Sequence, residues 1–165
     1  MKYKTSQLWM DYNSTDAEVR KRASKIWTQN CIRAEEDYQS VKTQLSKKFV
    51  SIYEKNERFH DWCVDKFEFL SSPKQAKDKF IIQLSHSSFN ERIDKSFVLT
   101  FYGVDNVEMR IGKNGGFPLY QRDEYSYDEW ERLNEKKIRY QLLMLSFSHI
   151  SVVCSGVRVT RLRIV

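Results

Sequence analysis

The sequence predicts an α+β fold, a long N-terminal helix or helical pair packed on an antiparallel sheet of about six or seven strands. Two observations predict it. Apolar residues recur every three or four positions through the first third, and from Phe59 onward the period changes to two. The turn-rich segments that divide the second part are short, as antiparallel connections are.

Thr15-x-x-Glu18 has the form of a capping box, in which hydroxyl and carboxylate reciprocally satisfy free backbone N–H groups, so a helix is expected to start there. Val19, Ala23, Trp27, Cys31, Ala34, Tyr38, Val41, Leu45, Phe49 and Ile52 then form one stripe without Gly or Pro. Unbroken, roughly forty helical residues would reach about 60 Å, too long for one small sheet. Either the helix breaks near Gln29-Asn30 or part of its stripe meets a partner, and typical helix lengths favour the break. Leu8, Trp9 and Tyr12 place a shorter helical segment over residues 5–12, expected to fold back on the same stripe.

Trp62, Val64, Lys66 and Glu68 alternate with Cys63, Asp65, Phe67 and Phe69. The same period marks residues 79–84, 97–102 and 107–111, separated by turns at 71–73, 86–90, 103–106 and 113–116, and the order reads as a meander. Ser126-Tyr127-Asp128-Glu129-Trp130 is expected to open a short acidic helix or loop. Strands are expected again at 141–147, 150–154 and 157–164, with a hairpin turn at Ser155-Gly156 and a bulge near Thr160-Arg161.

With 165 residues, 41% apolar and 14% aromatic, the chain can fill a core as one domain, residues 1–58 helical and 59–165 strand-rich. That excludes collagen-like, coiled-coil and wholly disordered classes. The longest apolar run, Leu142 to Leu145, is far below the roughly 20 residues of a membrane helix, and residues 1–13 carry no signal-peptide core. Three scattered cysteines without a CxxC pair support neither a disulfide framework nor a thiolate metal site. A cytoplasmic protein without a cofactor is expected.

His60-Asp61 stands at the helix-to-strand junction, where such a pair could ligate metal or relay a proton, or simply cap backbone groups. His60-x-x-Cys63 is half of a zinc spacing with no second half. Residues 111–116, Ile-Gly-Lys-Asn-Gly-Gly, lack the GxxxxGK[ST] order of a phosphate loop and read as a turn. The carboxylate groups Glu35-Glu36-Asp37, Asp123-Glu124 and Asp128-Glu129 read as solvated faces. Trp130, with Tyr120, Tyr125 and Tyr127, forms the densest aromatic stretch, either a binding patch or a loop pinned by its rings.

The net charge of +6 resides in the last thirty residues. Lys136, Lys137, Arg139, Arg158, Arg161 and Arg163 stand there with no acid, which leaves 22 basic and 22 acidic side chains before them. An edge strand guarded by positive charge is one reading, an anion-binding site the other.

The order helical third, Phe59-His60-Asp61-Trp62, then a meander containing Phe97-Val98-Leu99-Thr100-Phe101 and Gly103-Val104, resembles a group of small bacterial α+β proteins of unassigned activity over residues 58–111. The resemblance implies a bacterial cytosolic protein of accessory or immunity type and carries over no catalytic residue. The functional expectation is a non-catalytic protein-binding module contacting a protein partner through Tyr125, Tyr127 and Trp130. The alternatives are nucleic-acid binding through Lys136, Lys137, Arg158, Arg161 and Arg163, and a metal-dependent hydrolase at His60 and Asp61.

Overall fold

The computed structural model describes residues 1–71, 78–87, 93–112 and 123–162. Among these residues three helices, α1 (Ser6–Tyr12), α2 (Ala17–Lys42) and α3 (Lys47–Lys55), precede a short 3-10 turn (Glu57–Phe59) and eight strands. The strands are β1 (Trp62–Leu70), β2 (Lys79–Ser87), β3 (Ile93–Tyr102), β4 (Asn106–Arg110), β5 (Asp123–Arg132), β6 (Ile138–Met144), β7 (His149–Cys154) and β8 (Gly156–Leu162). The architecture is α+β, with one strand more than the upper expectation.

The helical stripe is real but breaks at residues 43–46, not at Gln29-Asn30. Asp16, not Thr15, caps α2, its carboxylate accepting from the N–H groups of Glu18 and Val19 at 2.9 and 3.1 Å. A carboxylate is the stronger cap because its charge also meets the helix dipole. Ser46 caps α3 through the Phe49 N–H. Val41 before the break, Leu45 within it and Phe49 after it are buried in one core, so the apolar spacing runs through the break. α1 folds back as expected, with Tyr12 stacked on Trp27 at 5.2 Å between ring centroids.

β1, β2 and β3 form one antiparallel meander and β5, β6 and β7 another, joined where β1 pairs with β5. The complete order is β4-β7-β6-β5-β1-β2-β3-β8, so a single meander is not what the chain builds. One residue, Ser155, separates β7 from β8, yet the two lie near opposite ends of that order. A residue spans at most about 3.6 Å, so the ends of the sheet must meet. Ser155 N–H donates to the Tyr102 carbonyl and Asp105 N–H to the Val153 carbonyl, each at 2.9 Å. The runs 93–110 and 149–162 are thus one bent ladder, β3 on β8 and β4 on β7, that closes the sheet into a barrel. Phe101 of β3 and Tyr140 of β6, strands that are not neighbours, meet across the interior at 4.9 Å.

Residues 103–106 and Ser155-Gly156 are therefore corners, not hairpin turns. Gly103 supplies the first corner with φ 60°, a left-handed value that glycine adopts without penalty. The register of β8 against β3 is unbroken from Gly156 to Leu162, so the expected bulge at Thr160-Arg161 does not occur. Arg161 simply ends the inward-facing series begun by Val157 and Val159.

The largest correction is β5. The acidic aromatic stretch is a central strand between β6 and β1, not a helix or loop. A bulge between Tyr125 and Tyr127 breaks its alternation, so Tyr125, Asp128 and Trp130 face the interior while Tyr127 and Glu129 face α2. Glu129 is buried there and accepts from the N–H groups of Lys2, Tyr3 and Lys4 at 2.7, 3.0 and 2.5 Å, three consecutive amides converging on one carboxylate.

The Met1 amine lies 3.2 Å from His149 Nε2. Burial first, then the positive charges of that amine and Arg110, hold the His149 imidazole down to about 4 from an ordinary 6.5. The unfolded chain therefore takes up this proton first. The stability His149 contributes is complete above pH 6.5 and is lost as pH falls toward 4. The urea midpoint should decline through that window, and His149→Gln should flatten the decline.

Candidate functional site

The interior is filled by rings, so chemistry must be sought at its polar centre or on its rim. The centre is Asp128. Its Oδ2 accepts from Tyr53 OH at 2.5 Å, Tyr125 OH at 2.6 Å and Trp130 Nε1 at 3.1 Å, and Tyr140 OH donates to Tyr125 at 2.9 Å. Burial pushes the Asp128 carboxyl above its ordinary range, while the two tyrosine hydroxyls pull it back. Burial likewise raises Tyr53, Tyr125 and Tyr140 well above 10, so all three stay protonated donors. Helix α3 contributes Tyr53, and Phe49 packs on Trp130 beside it. The cluster is closed on itself and joins helix to barrel; it is a structural centre.

The rim is built by residues 57–61. Glu57, Arg58 and Phe59 have φ of 51°, 60° and 63°, a left-handed turn of three consecutive L-residues, none of them Gly or Asn, and Asp61 follows at 63°. Such a conformation costs roughly 1–2 kcal/mol per residue. It is held from three sides. The Phe59 ring is fully buried against Trp62, Phe97, Tyr53 and Tyr125. The Arg58 guanidinium lies over the Tyr38 ring at 4.7 Å and pairs with Glu35 at 2.7 Å. Backbone bonds from Phe59 N–H to Asn56, His60 N–H to Glu57 and Asp61 N–H to Tyr125 fix the path.

What this turn displays is His60-Asp61. His60 Nδ1 lies 2.8 Å from Asp61 Oδ1, and both side chains reach the surface, His60 42% and Asp61 75% exposed. The His60 ring meets the Tyr127 ring in a T-shaped contact at 5.1 Å between centroids, and Tyr127 in turn meets Trp27. A hollow of about 250 Å³ opens beside the pair, lined by Lys55, Glu57, His60, Asp61, His86 and Lys95 among others. His86 and Lys95 face each other across β2 and β3, and the His86 ring packs on Trp62. The arrangement offers two imidazoles, two ammonium groups and two carboxylates in one polar recess, suited to charged and hydrogen-bonding groups of either sign.

The sequence-level candidates are thus redistributed. Tyr125 and Trp130, expected to meet a partner, are 1% and 2% exposed and bonded to Asp128, so only Tyr127 of that set reaches the surface region of the rim. Asp128 and Glu129, expected on a solvated face, are both buried, on opposite sides of β5. The basic set is dispersed. Lys137 bonds Asp105 at 2.6 Å and the Gly103 carbonyl, and Arg139 bonds Glu131 at 2.7 Å, while Lys136 stays exposed between β5 and β6. Arg158 lies over Tyr102 and Arg161 is exposed on the other face of β8, which is an outer strand. Arg163, Tyr120 and residues 113–116 lie outside the described residues.

His86, expected in a turn, lies in β2, and the pairings of β1 with β2 and of β2 with β3, which no short-range signal marks, bring it and Lys95 beside His60. Cys154 is buried, which pushes its thiol up to about 12 and leaves it inert. Among the described residues no group of three or more His, Cys, Asp or Glu is placed to hold a metal ion, and no helix is long and apolar enough to cross a membrane. No family model, curated protein or solved structure matches this chain.

Proposed function

We propose that the protein is a non-catalytic protein-binding module of accessory or immunity type, and that the rim carrying His60, Asp61, His86 and Lys95, with Tyr127 behind it, is the surface its partner contacts. The observation that carries this reading is the left-handed turn. Left-handed backbone persists where its surroundings over-determine it, and here Phe59, buried in the core, anchors a turn that holds the exposed positions Glu57, His60 and Asp61 in one shape at the surface. Both signs of charge in a recess of this size fit a polar segment of a protein partner better than a uniform polyanion. The nucleic-acid reading loses ground because, of its basic set, Lys137 already has an acidic partner and Arg158 and Arg161 lie on opposite faces of β8.

The test is affinity capture from nuclease-treated native extract with the wild type, a His60→Ala/Lys95→Glu rim variant and an Arg158→Ala/Arg161→Ala variant. The reading expects one partner to be lost from the rim variant and kept by the β8 variant. Equal recovery by wild type and rim variant, or loss only with the β8 variant or nuclease, contradicts it.

A further inference from the structure

β4 is hydrogen-bonded to β7 on one side and, among the described residues, to no strand on the other. A free edge invites another strand unless something repels it. β8, the other outer strand, carries Arg158 and Arg161, like charges that would oppose a second copy. β4 carries Glu108 and Arg110, which would not. Its two faces are also sharply divided. Asn106, Glu108 and Arg110 line a polar hollow with Arg139 and His149. Val107 packs against the core from the opposite face, where Met109 is 46% exposed and Ile111, the next of that series, 82%. Phe69, 53% exposed, lines a cleft of about 270 Å³ together with Val107.

We propose that this edge pairs with the β4 edge of a second copy of the chain, antiparallel about a two-fold axis at Met109. The register follows from geometry and charge. Along a strand, backbone N–H and C=O groups point alternately to either side, so in a self-pairing antiparallel edge opposite residues share parity and the axis falls on a residue. An axis at Glu108 sets two carboxylates opposite one another. An axis at Met109 sets Glu108 opposite Arg110 twice over on the polar face, and on the apolar face Val107 opposite Ile111 and Met109 opposite itself. Cross-strand pairs of these kinds are the unit of sheet stabilisation. Five residues of edge fall below the roughly 1,200 Å² of a stable interface, so the dimer is concentration-dependent, with Phe69, beside Val107, placed to add apolar area.

Sedimentation velocity over a concentration series tests it. The wild type should shift from monomer toward dimer. Glu108→Arg alone and Arg110→Glu alone should each weaken association about tenfold or more, because each sets like charges opposite twice. An equimolar mixture of the two variants should associate as a heterodimer, and the double exchange Glu108→Arg/Arg110→Glu should restore self-association. Unchanged circular dichroism in all variants checks the fold. A protein that stays monomeric at every concentration, or a dimer indifferent to both single exchanges, overturns the proposal.

Discussion

Replacing Asp128 by alanine is expected to destabilise the fold by about 3–5 kcal/mol, read from urea unfolding followed by tryptophan fluorescence. The carboxylate is the acceptor for Tyr53, Tyr125 and Trp130, and its loss strands buried donors from a helix and a strand at once. Each buried donor without a partner costs about 1–3 kcal/mol, only partly recovered as Tyr53 and Trp130 still bond one another. Asp128→Asn keeps one acceptor oxygen in place and should cost markedly less. The sign of the ionisation also matters. Burial raises this carboxyl above its unfolded value, so its ionised form opposes folding. That opposition is absent below the unfolded value and grows as pH rises through the folded one. The wild type minus Asp128→Asn difference should therefore narrow at higher pH if the amide reproduces the hydrogen bonds.

Phe59→Ala should be comparably severe, about 3–5 kcal/mol, as for other fully buried aromatic rings. Phe59 is the side chain that pins the left-handed turn into the core, touching α3, β1, β3 and β5 through Tyr53, Trp62, Phe97 and Tyr125. The effect has a second part. With the anchor gone, the turn can relax, so His60 and Asp61 should lose their fixed placement beside Tyr127. A surface substitution on the same turn would not do both. Phe59→Leu fills much of the volume and should separate packing loss from turn relaxation.

The parts of the fold governed by local pattern were legible from residues alone. Helical spacing found α1 and the α2–α3 stripe, and alternation found β1, β2 and β3. The break at residues 43–46 was not, because Val41, Leu45 and Phe49 meet the same core and carry the spacing across it. β5 was hidden by its bulge, which places Tyr125 and Asp128 inward at an odd separation, and by charged residues that a buried strand seldom contains. Barrel closure depends on pairings between residues about 55 positions apart, such as Tyr102 with Gly156, and no short-range signal marks them. His60-Asp61 was visible as a pair. The turn that presents it was not, since Glu57-Arg58-Phe59 contains none of the residues that favour left-handed backbone.

The central claim is that the left-handed backbone at the exposed positions Glu57 and Asp61 is kept for what the turn displays and not for stability. Urea unfolding of Glu57→Gly/Asp61→Gly against the wild type tests it most directly, since both positions are exposed and both have positive φ. Relief of two left-handed L-residues, less the entropy glycine adds to the unfolded chain, predicts a gain of about 1–2 kcal/mol. A loss of stability in that variant would mean that the two carboxylates support the fold, and would contradict the account.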